Sequence, residues 1–459
     1  MKPDIALYTL ASTGAGQGMK TIALLVTTIA FAPAAVRADQ PVYFADPNLQ
    51  TAVEQALGTR RPRPRQMLQL TELDASEMGI YDLAGLEYAV NLTVLKLRRN
   101  HISRLESLSP LVSLVHLELQ TNDITDVTPL ANLTSLQHLD LSQNRIADAN
   151  ALAELTHLEK LFLSYNKIAD IGFVGGLRSL WWLKLRDNQL SDIRPLAGMT
   201  NLRKLELGVN RISDVNAVAG LTNLVSLGLD ENNIRDVSPL AGLANLINLK
   251  LFDNQIHDIS SLAGLGRLQS LLLMQNQIQD ISPLENLTDL RVLWLSDNLI
   301  ADISVLSNLT GLESLLLNQN RITDVTALGR LEHLRTVWLA ANDIDDISPL
   351  LPLSSIDSLI LHENPLRPSA YYAELPLIKQ SNSSAKVHAD KRPYQILDDS
   401  GRELVDITVL LHQINCSDCR SENNWCGGAD MDWSGQVDWS DVEQYARYLA
   451  EADELAGYQ

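Results

Sequence analysis

The chain has 459 residues, of which 46% are hydrophobic and only 5% are aromatic, and its formal net charge is −20. A chain of this length is too long for one compact core unless it is a repeat array, and this one is too apolar to be disordered. Its negative charge is repelled by phosphate backbones and by anionic lipids, which argues against nucleic-acid binding and against adsorption to a membrane.

The N-terminal residues have the pattern of an export signal. Met19 and Lys20 precede an apolar run over residues 21–31, and small residues at positions 36 and 38 fit cleavage after Ala38. The run is shorter than the roughly 20 residues needed to span a bilayer. We therefore predict a non-native extension over 1–18, a signal peptide over 19–38, and a protein that is secreted or held at the cell surface without membrane insertion. A buried first helix is the alternative interpretation.

Residues 39–66 predict a helical N-terminal cap. The stretch 46–58 has helical character and ends in Gly58, a common helix terminator. A basic stretch with four arginines follows at 60–65. We interpret it as a solvated connector, and a docking or processing site is the alternative.

The next part of the chain is a repeat with a fixed period. Asparagine recurs every 22 residues, thirteen times from Asn100 to Asn364, and Met78 takes the same place one step earlier, which gives about 14 units over residues 67–367. Positions are numbered below relative to this asparagine. Apolar residues occur at −5, −3, +2, +5, +8, +11 and +14, as around Asn122. The −5/−3 pair has strand spacing and the later spacing is that of a tight helical turn, so each unit predicts one short parallel strand and a helical return. Stacked units bury the apolar stripe continuously.

The repeat resembles the leucine-rich repeat family in its 22-residue, internalin-like branch, L-x-x-L-x-x-L-x-L-x-x-N-x-I-x-D-I. The resemblance implies an α/β solenoid, a horseshoe with a parallel β-sheet on its concave face and short 3-10 or helical turns on its convex face. It also implies a C-terminal cap over 368–390, made of a helix and a last strand.

Two polar columns follow from the same repeat. We interpret the asparagines as structural, because each amide can close backbone groups that the core would leave unpaired. Aspartate at +4 precedes Ser, Thr or Asn at +6 and often Pro at +7, which is typical of turn and N-cap chemistry. A cation-binding acidic stripe is the alternative for the aspartates.

Side chains at −4 and −2 are expected to face outward, because residues alternate along a strand. The last five −4 residues are all apolar, and two more apolar residues lie beside them at −2; together they are Leu272, Trp294, Leu316, Trp338, Ile360, Phe252 and Met274. Exposed apolar strips that contain tryptophan are typical of interfaces, so we predict that they bind a protein ligand, or a glycan. The alternative is that the C-terminal cap covers Trp338 and Ile360.

The rest of the −4 column is mostly charged. It predicts opposite-charge neighbours at Lys96/Glu118 and at Lys184/Glu206. A second, smaller aromatic cluster is predicted from Phe162, Tyr165 and Trp182.

After a linker over 391–397, residues 398–459 predict a small α-helical domain with a calcium loop. Oxygen donors stand at the spacing that Ca²⁺ requires, and Gly435 permits the sharp turn. The predicted ligands are Asp430, Asp432, Ser434, the carbonyl of Gln436, Asp438 and Asp441. The loop ends in Asp rather than Glu and resembles dockerin and dockerin-like modules of exported bacterial proteins. The resemblance implies Ca²⁺ as cofactor and a cohesin-like or surface-assembly partner, although a dockerin has two such loops and the stretch 398–401 lacks the ligand spacing.

The only three cysteines are Cys416, Cys419 and Cys426. One disulfide among them is expected in an exported chain, with the partner of Cys426 left open. A zinc site with His412 is the alternative.

No nucleophile motif, metal-hydrolase motif or phosphate loop is present in the sequence, so we predict a non-enzymatic protein, expected to be a monomer. The first hypothesis is an exported binding protein whose concave face holds a protein or a glycan. The alternatives are a structural component of a surface assembly, docked through the dockerin-like tail, and an intracellular repeat protein similar to phosphatase regulators.

Overall fold

A computed structural model describes residues 40–367 and 369–390. The predicted signal peptide, the linker, the calcium loop and the three cysteines lie outside the described residues. Within the described ranges, no helix combines the length and the apolar character needed to cross a membrane.

The N-terminal cap is a helix, as predicted. Helix α1 (Pro47–Leu57) begins after Asp46, whose carboxylate accepts hydrogen bonds from the backbone N–H groups of Asn48 (2.8 Å) and Leu49 (3.2 Å). It ends at Gly58, where φ is 62°, a left-handed conformation that glycine adopts without strain. The second carboxylate oxygen of Asp46 accepts from Tyr81 N (2.8 Å) and so ties the cap to the first repeat. The basic stretch connects α1 to the short helix α2 (Pro64–Met67).

One parallel sheet runs the length of the described chain, and its fifteen strands are ordered as in the sequence. Neighbouring strands up to β14 pair with a register step of 22 residues, for example Leu117 with Leu139. The three-residue strands β1–β15 are Glu72–Asp74, Val94–Lys96, His116–Glu118, His138–Asp140, Lys160–Phe162, Trp182–Lys184, Lys204–Glu206, Ser226–Gly228, Asn248–Lys250, Ser270–Leu272, Val292–Trp294, Ser314–Leu316, Thr336–Trp338, Ser358–Ile360 and Lys386–His388. The predicted parallel-strand solenoid is confirmed.

A 3-10 turn follows each of the first thirteen strands, as predicted for the return segment. These turns are Leu86–Tyr88, Glu106–Leu108, Thr128–Leu130, Asn150–Leu152, Gly172–Gly176, Arg194–Leu196, Asn216–Val218, Ser238–Leu240, Ser260–Gly264, Ser282–Leu284, Ser304–Asn308, Thr326–Arg330 and Ser348–Leu350. The apolar side chains of the repeat point into the space between the sheet and the 3-10 turns. Around Asn122 all seven are at most 1% exposed, and each buried Leu or Ile contributes about 1.5–3 kcal/mol.

The aspartate at +4 caps the turn that follows it. Asp236 accepts from the backbone N–H of Ser238 at 2.8 Å, and Asp126 accepts in the same way from Thr128 at 2.8 Å. The +6 residue is the first residue of the turn, and its N–H is the group being capped. The hydroxyl and the backbone N–H of Thr128 lower the pKa of Asp126, and the backbone N–H and the hydroxyl of Ser238 lower the pKa of Asp236.

The asparagine column forms a continuous hydrogen-bond ladder inside the solenoid. Asn232 donates from Nδ2 to Leu207 O and Leu229 O (both 3.1 Å), and its Oδ1 accepts from Ile212 N at 2.9 Å. Leu229 O accepts a second bond, from Asn254 Nδ2 at 3.0 Å. Each amide therefore joins two repeats, and each carbonyl is shared by two amides. The structural interpretation of this column is confirmed.

The residue before each asparagine has a left-handed backbone, with φ between 52° and 60° at positions 99 to 363. None of these thirteen residues is glycine, and two of them, Thr121 and Val209, are β-branched. The conformation is strained for such residues, but it turns Val209 N onto Asp230 O (2.9 Å) and Asn210 N onto Glu231 O (3.1 Å). Bonds between repeats thus offset the local strain.

The C-terminal cap begins with a π-helical turn (Ala370–Glu374), which continues into helix α3 (Leu375–Ser381). Asn382, which lies outside the asparagine column, then bonds backbone groups of the segment that precedes β14. Its Nδ2 donates to Leu353 O, and its Oδ1 accepts from Ile356 N, both at 2.8 Å. Strand β15 completes the sheet beside β14.

Candidate binding surface on the concave face

Positions −6, −4 and −2 lie on one face of the sheet, because alternate residues of a strand share a side. The sequence predictions covered −4 and −2, but of the −6 column they included only Trp182. Three regions follow one another along this face: an aromatic region on β3–β6, a charged region on β6–β9, and an apolar region on β10–β14.

The apolar region is continuous. We call Leu272, Trp294, Leu316, Trp338 and Ile360 the apolar ridge. Each is the register neighbour of the next, since Leu272 pairs with Trp294, Trp294 with Leu316, Leu316 with Trp338, and Trp338 with Ile360. With strands about 4.8 Å apart, the ridge is roughly 19 Å long. Phe252 and Met274 flank it and are half-buried.

The ridge side chains lie along the sheet rather than standing free in water. Trp294 Nε1 donates to Ser314 Oγ on the next strand at 3.0 Å, and Trp338 Nε1 donates to Ser358 Oγ at 3.1 Å. Leu316, between the two indoles, is only 9% exposed, whereas Trp294 and Trp338 are half-buried. The indole N–H groups are thereby satisfied inside the chain, and the ridge presents a smooth apolar surface.

The C-terminal cap extends the sheet beside the ridge. Strand β15 pairs edge to edge with β14 and places His388 next to Ile360, which stays half-buried.

The second aromatic cluster has more rings than predicted but does not include Tyr165, which is exposed and makes no ring contact among the described residues. Phe162 meets Trp182 with ring centroids 4.9 Å apart, as the sequence suggested. His138 continues the row at 5.2 Å from Phe162, and His116 stacks on His138 at 4.2 Å with ring planes 7° apart. The histidines occupy −6, the column from which only Trp182 was considered, and Trp181 adds a fifth ring 5.7 Å from Trp182. Burial, with the neighbouring charges of His116 and Lys160, lowers the pKa of His138 to about 4, so this ring is neutral at pH 7.

Three lysines lie over these rings. Lys184 Nζ is 4.7 Å from the ring centroids of both Phe162 and Trp182. Lys204 Nζ lies 4.6 Å from the Trp182 ring, and Lys160 Nζ lies 5.1 Å from the Trp181 ring. These are cation–π distances. We call Lys160, Phe162, Trp181, Trp182, Lys184 and Lys204 the lysine–aromatic cluster.

The charged region is braced by ion pairs that skip one strand. Arg186 passes Gly208 and pairs with Asp230, two repeats away, and with Glu231 at 2.7 Å. A Cβ at Gly208 would lie 2.7 Å from Asp230 Oδ2 and would also overlap the guanidinium, so only glycine leaves room for this contact. Glu206 likewise passes Gly228 and approaches Lys250 at 3.8 Å.

The predicted opposite-charge neighbours are confirmed by the strand register, which places Lys96 beside Glu118 and Lys184 beside Glu206, but the charged groups of these neighbours do not form salt bridges with each other. Lys184 lies over aromatic rings, and the carboxylate of Glu206 approaches Lys250 instead. Glu118 contacts His116 at 2.7 Å rather than Lys96. A glycine in the intervening repeat lets a long side chain pass over that repeat and reach the next one. A sequence pattern that considers only adjacent strands does not indicate such contacts.

The described residues contain no group of three or more His, Cys, Asp or Glu side chains placed to hold a metal ion. The aspartates at +4, considered as a cation-binding stripe, use a carboxylate oxygen to cap the turns. The predicted calcium ligands lie outside the described residues.

Comparison with known proteins agrees with this architecture. The family described as "Leucine Rich repeats (2 copies)" matches residues 134–179, 178–220, 267–308 and 310–352. The comparison with curated proteins gives no match.

Solved structures include close similarities to the whole solenoid. An internalin from Listeria monocytogenes (inlF) shares 35% identity at a TM-score of 0.67, over 69% of this chain and 95% of the internalin. A leucine-rich repeat protein from Leptospira interrogans has the same fold, with 21% identity and a TM-score of 0.57, over 71% and 97% of the two chains. The ectodomain of a plant membrane receptor kinase from Arabidopsis thaliana also has this fold, with 20% identity and a TM-score of 0.51, over 71% of this chain and 48% of the ectodomain.

Leucine-rich repeat proteins are typically non-enzymatic binding scaffolds, and the titratable groups of this sheet face are used in ion pairs, stacking and caps. The 22-residue register, the asparagine ladder and the likeness to the Listeria protein agree on the family. The chain belongs to the internalin-like leucine-rich repeat proteins.

Proposed function

We propose that this chain is an exported, non-enzymatic protein that binds a protein ligand through the apolar ridge on its concave face. The observation that carries the proposal is a continuous apolar surface on five adjacent strands with two half-buried tryptophans. Soluble monomers rarely expose such contiguous apolar area, and tryptophan is a favoured interface anchor.

The chemistry of the ridge favours a protein over a glycan. A sugar needs hydrogen-bond donors and acceptors beside the aromatic rings, whereas both indole N–H groups of the ridge are already bonded to serines. The similar Arabidopsis ectodomain was solved in complex with CASPARIAN STRIP INTEGRITY FACTOR 2, which shows that a solenoid of this fold can hold such a factor.

Trp294→Ala and Trp338→Ala are each expected to weaken ligand binding by about 2 kcal/mol, or roughly 30-fold. Both side chains lie outside the continuous hydrophobic core, so the melting temperature is expected to change little. The ligand is first captured from surface and secreted fractions with the wild-type chain, and its Kd is then measured for each variant. Tyr81→Ala, which removes an exposed ring at the first repeat, is the matched control.

Unchanged ligand affinity together with a large fall in melting temperature would show that the ridge is core rather than binding site. The alternative is a structural component docked through its tail. It would be favoured if the partner is captured only when residues 398–459 are present and if both tryptophan variants capture it as well as wild type.

Export through residues 19–38 is part of the proposal. It is supported by the apolar run that follows Met19 and Lys20, and by the family, whose members are typically secreted or surface proteins. N-terminal sequencing of the mature protein is expected to begin after Ala38. A cytoplasmic protein with Met1 or Met19 intact would revive the intracellular alternative.

We also propose that residues 430–441 bind one Ca²⁺ ion, within a dockerin-like module that joins the protein to a surface assembly. The support is the spacing of six oxygen donors around Gly435. Calorimetric titration of the mature chain with Ca²⁺ is expected to show one site, lost in Asp430→Ala and kept in Asp398→Ala. Two equivalent sites, or none, would contradict this proposal.

A further inference from the structure

We propose that the lysine–aromatic cluster is a second contact site, which binds a carboxylate-rich segment of the protein ligand. The inference rests on the proposed function and specifies the chemistry of the partner. Its starting point is that Lys184 and Lys204 both lie within 4.7 Å of the same indole ring, that of Trp182.

Among the described residues, the three ammonium groups of the cluster form no salt bridge, and the charge of Lys184 acts on the carboxylate of Asp140, whose pKa is raised by burial. Within the described part of the chain, no carboxylate oxygen lies within 4.0 Å of the Nζ atoms of Lys160, Lys184 or Lys204. The register neighbour of Lys184 is Glu206, but its carboxylate approaches Lys250. Aromatic rings attract an ammonium group without neutralising its charge, so a carboxylate can still bind there.

The negative charge of the whole chain strengthens the preference of this site for an acidic ligand. With a net charge of −20, the chain repels an acidic partner over most of its surface. Lysines without salt bridges on the concave face therefore give an acidic segment one favourable place to bind, and they fix its position by charge complementarity.

The arrangement favours an acidic protein segment over an acidic sugar. A uronic acid would need a free ring face on which to stack, but Lys184 lies over both Phe162 and Trp182, and Lys160 lies over Trp181. What the cluster offers a ligand is ammonium groups above rings. Glutamate or aspartate side chains can reach such groups without stacking.

The cluster and the ridge are separated by a region that is already paired internally. The cluster ends with Lys204 on β7, so three strand steps, roughly 14 Å, separate it from the ridge on β10, and Asp230 and Glu231, which pair with Arg186, lie within this interval. A ligand that contacts both ends must carry acidic residues toward the N-terminal end of the solenoid and apolar residues toward its C-terminal end. This order of acidic and apolar residues fixes the direction in which the ligand lies along the concave face.

The test uses a fluorescently labelled 12-residue peptide of alternating Glu and Ser, and anisotropy is measured with the mature chain at 20 mM salt. The peptide is expected to bind, to bind at least tenfold more weakly at 200 mM salt, and to bind at least tenfold more weakly to Lys184→Gln/Lys204→Gln. The Gln/Ser analogue of the peptide is expected not to bind. Lys386→Gln, an exposed lysine on β15, is the matched control.

Three results would overturn the inference: no binding of the Glu/Ser peptide, equal binding of the Gln/Ser analogue, or equal binding by the double variant and wild type. Polygalacturonate binding more tightly than the peptide, and lost in the double variant, would also overturn it in favour of an acidic sugar. If the double variant does not melt like wild type, Lys204→Gln alone is used with the same expectation of weaker binding. Trp294→Ala is expected to bind the peptide normally, so failure of the ridge proposal is separable from failure of this one.

Discussion

Replacing Asn232 by alanine is expected to lower the free energy of unfolding by about 2–6 kcal/mol. The substitution leaves the buried Ile212 N–H without a partner, which costs about 1–3 kcal/mol. It also removes the amide bonds to Leu207 O and Leu229 O, each worth about 0.5–1.5 kcal/mol. Those two carbonyls each keep one bond, from Asn210 and Asn254, so the ladder is weakened at one step rather than broken throughout.

The matched control is Asn223→Ala, the same exchange nine residues earlier. Asn223 is exposed, and its Nδ2 donates to Thr200 O at 2.8 Å on the outside of the solenoid. Its loss is expected to cost less than about 1 kcal/mol. Urea unfolding of both variants gives the comparison. Equal destabilisation would show that burial of the column asparagine contributes nothing.

The sequence predicted the asparagine ladder because its chemistry is local to the repeat. A side chain that both donates and accepts, repeated at one place in every unit, has few roles other than closing backbone groups. The aspartates at +4 could be interpreted for the same reason, since an acceptor two residues before a turn can cap its first N–H. The residues with a left-handed backbone could not be predicted from the sequence. Val209 and its counterparts are not glycine, and their conformation follows from bonds to the next repeat.

The concave face was only partly predictable. The apolar ridge follows from residue type at −4 together with the alternation of a strand. The lysine–aromatic cluster was missed in part because Lys160 and Lys204 lie at −6, and because Lys184 turns toward rings rather than toward Glu206. Contacts that span two repeats, such as Arg186 with Asp230, depend on a glycine between them. The length of the side chains, and not the repeat pattern, determines which residues make contacts across two repeats.

Arg186→Met is expected to destabilise the protein by about 3–5 kcal/mol, because it leaves a charged carboxylate buried without its ionic partner. Asp230 is fully buried and its Oδ1 already has no hydrogen-bond partner, so the guanidinium contact at Oδ2 carries the compensation. The matched control is Arg194→Met, which removes an exposed Arg–Asp pair and is expected to cost less than about 1 kcal/mol. Thermal unfolding of the two variants measures the difference.

The double variant Arg186→Met/Asp230→Leu separates charge from packing. If the cost of the single variant is the unpaired carboxylate, removing that carboxylate as well is expected to restore most of the lost stability, because a buried ion pair can often be replaced by apolar residues of similar volume at little cost. A double variant as unstable as the single one would show that the lost contacts, not the charge, matter.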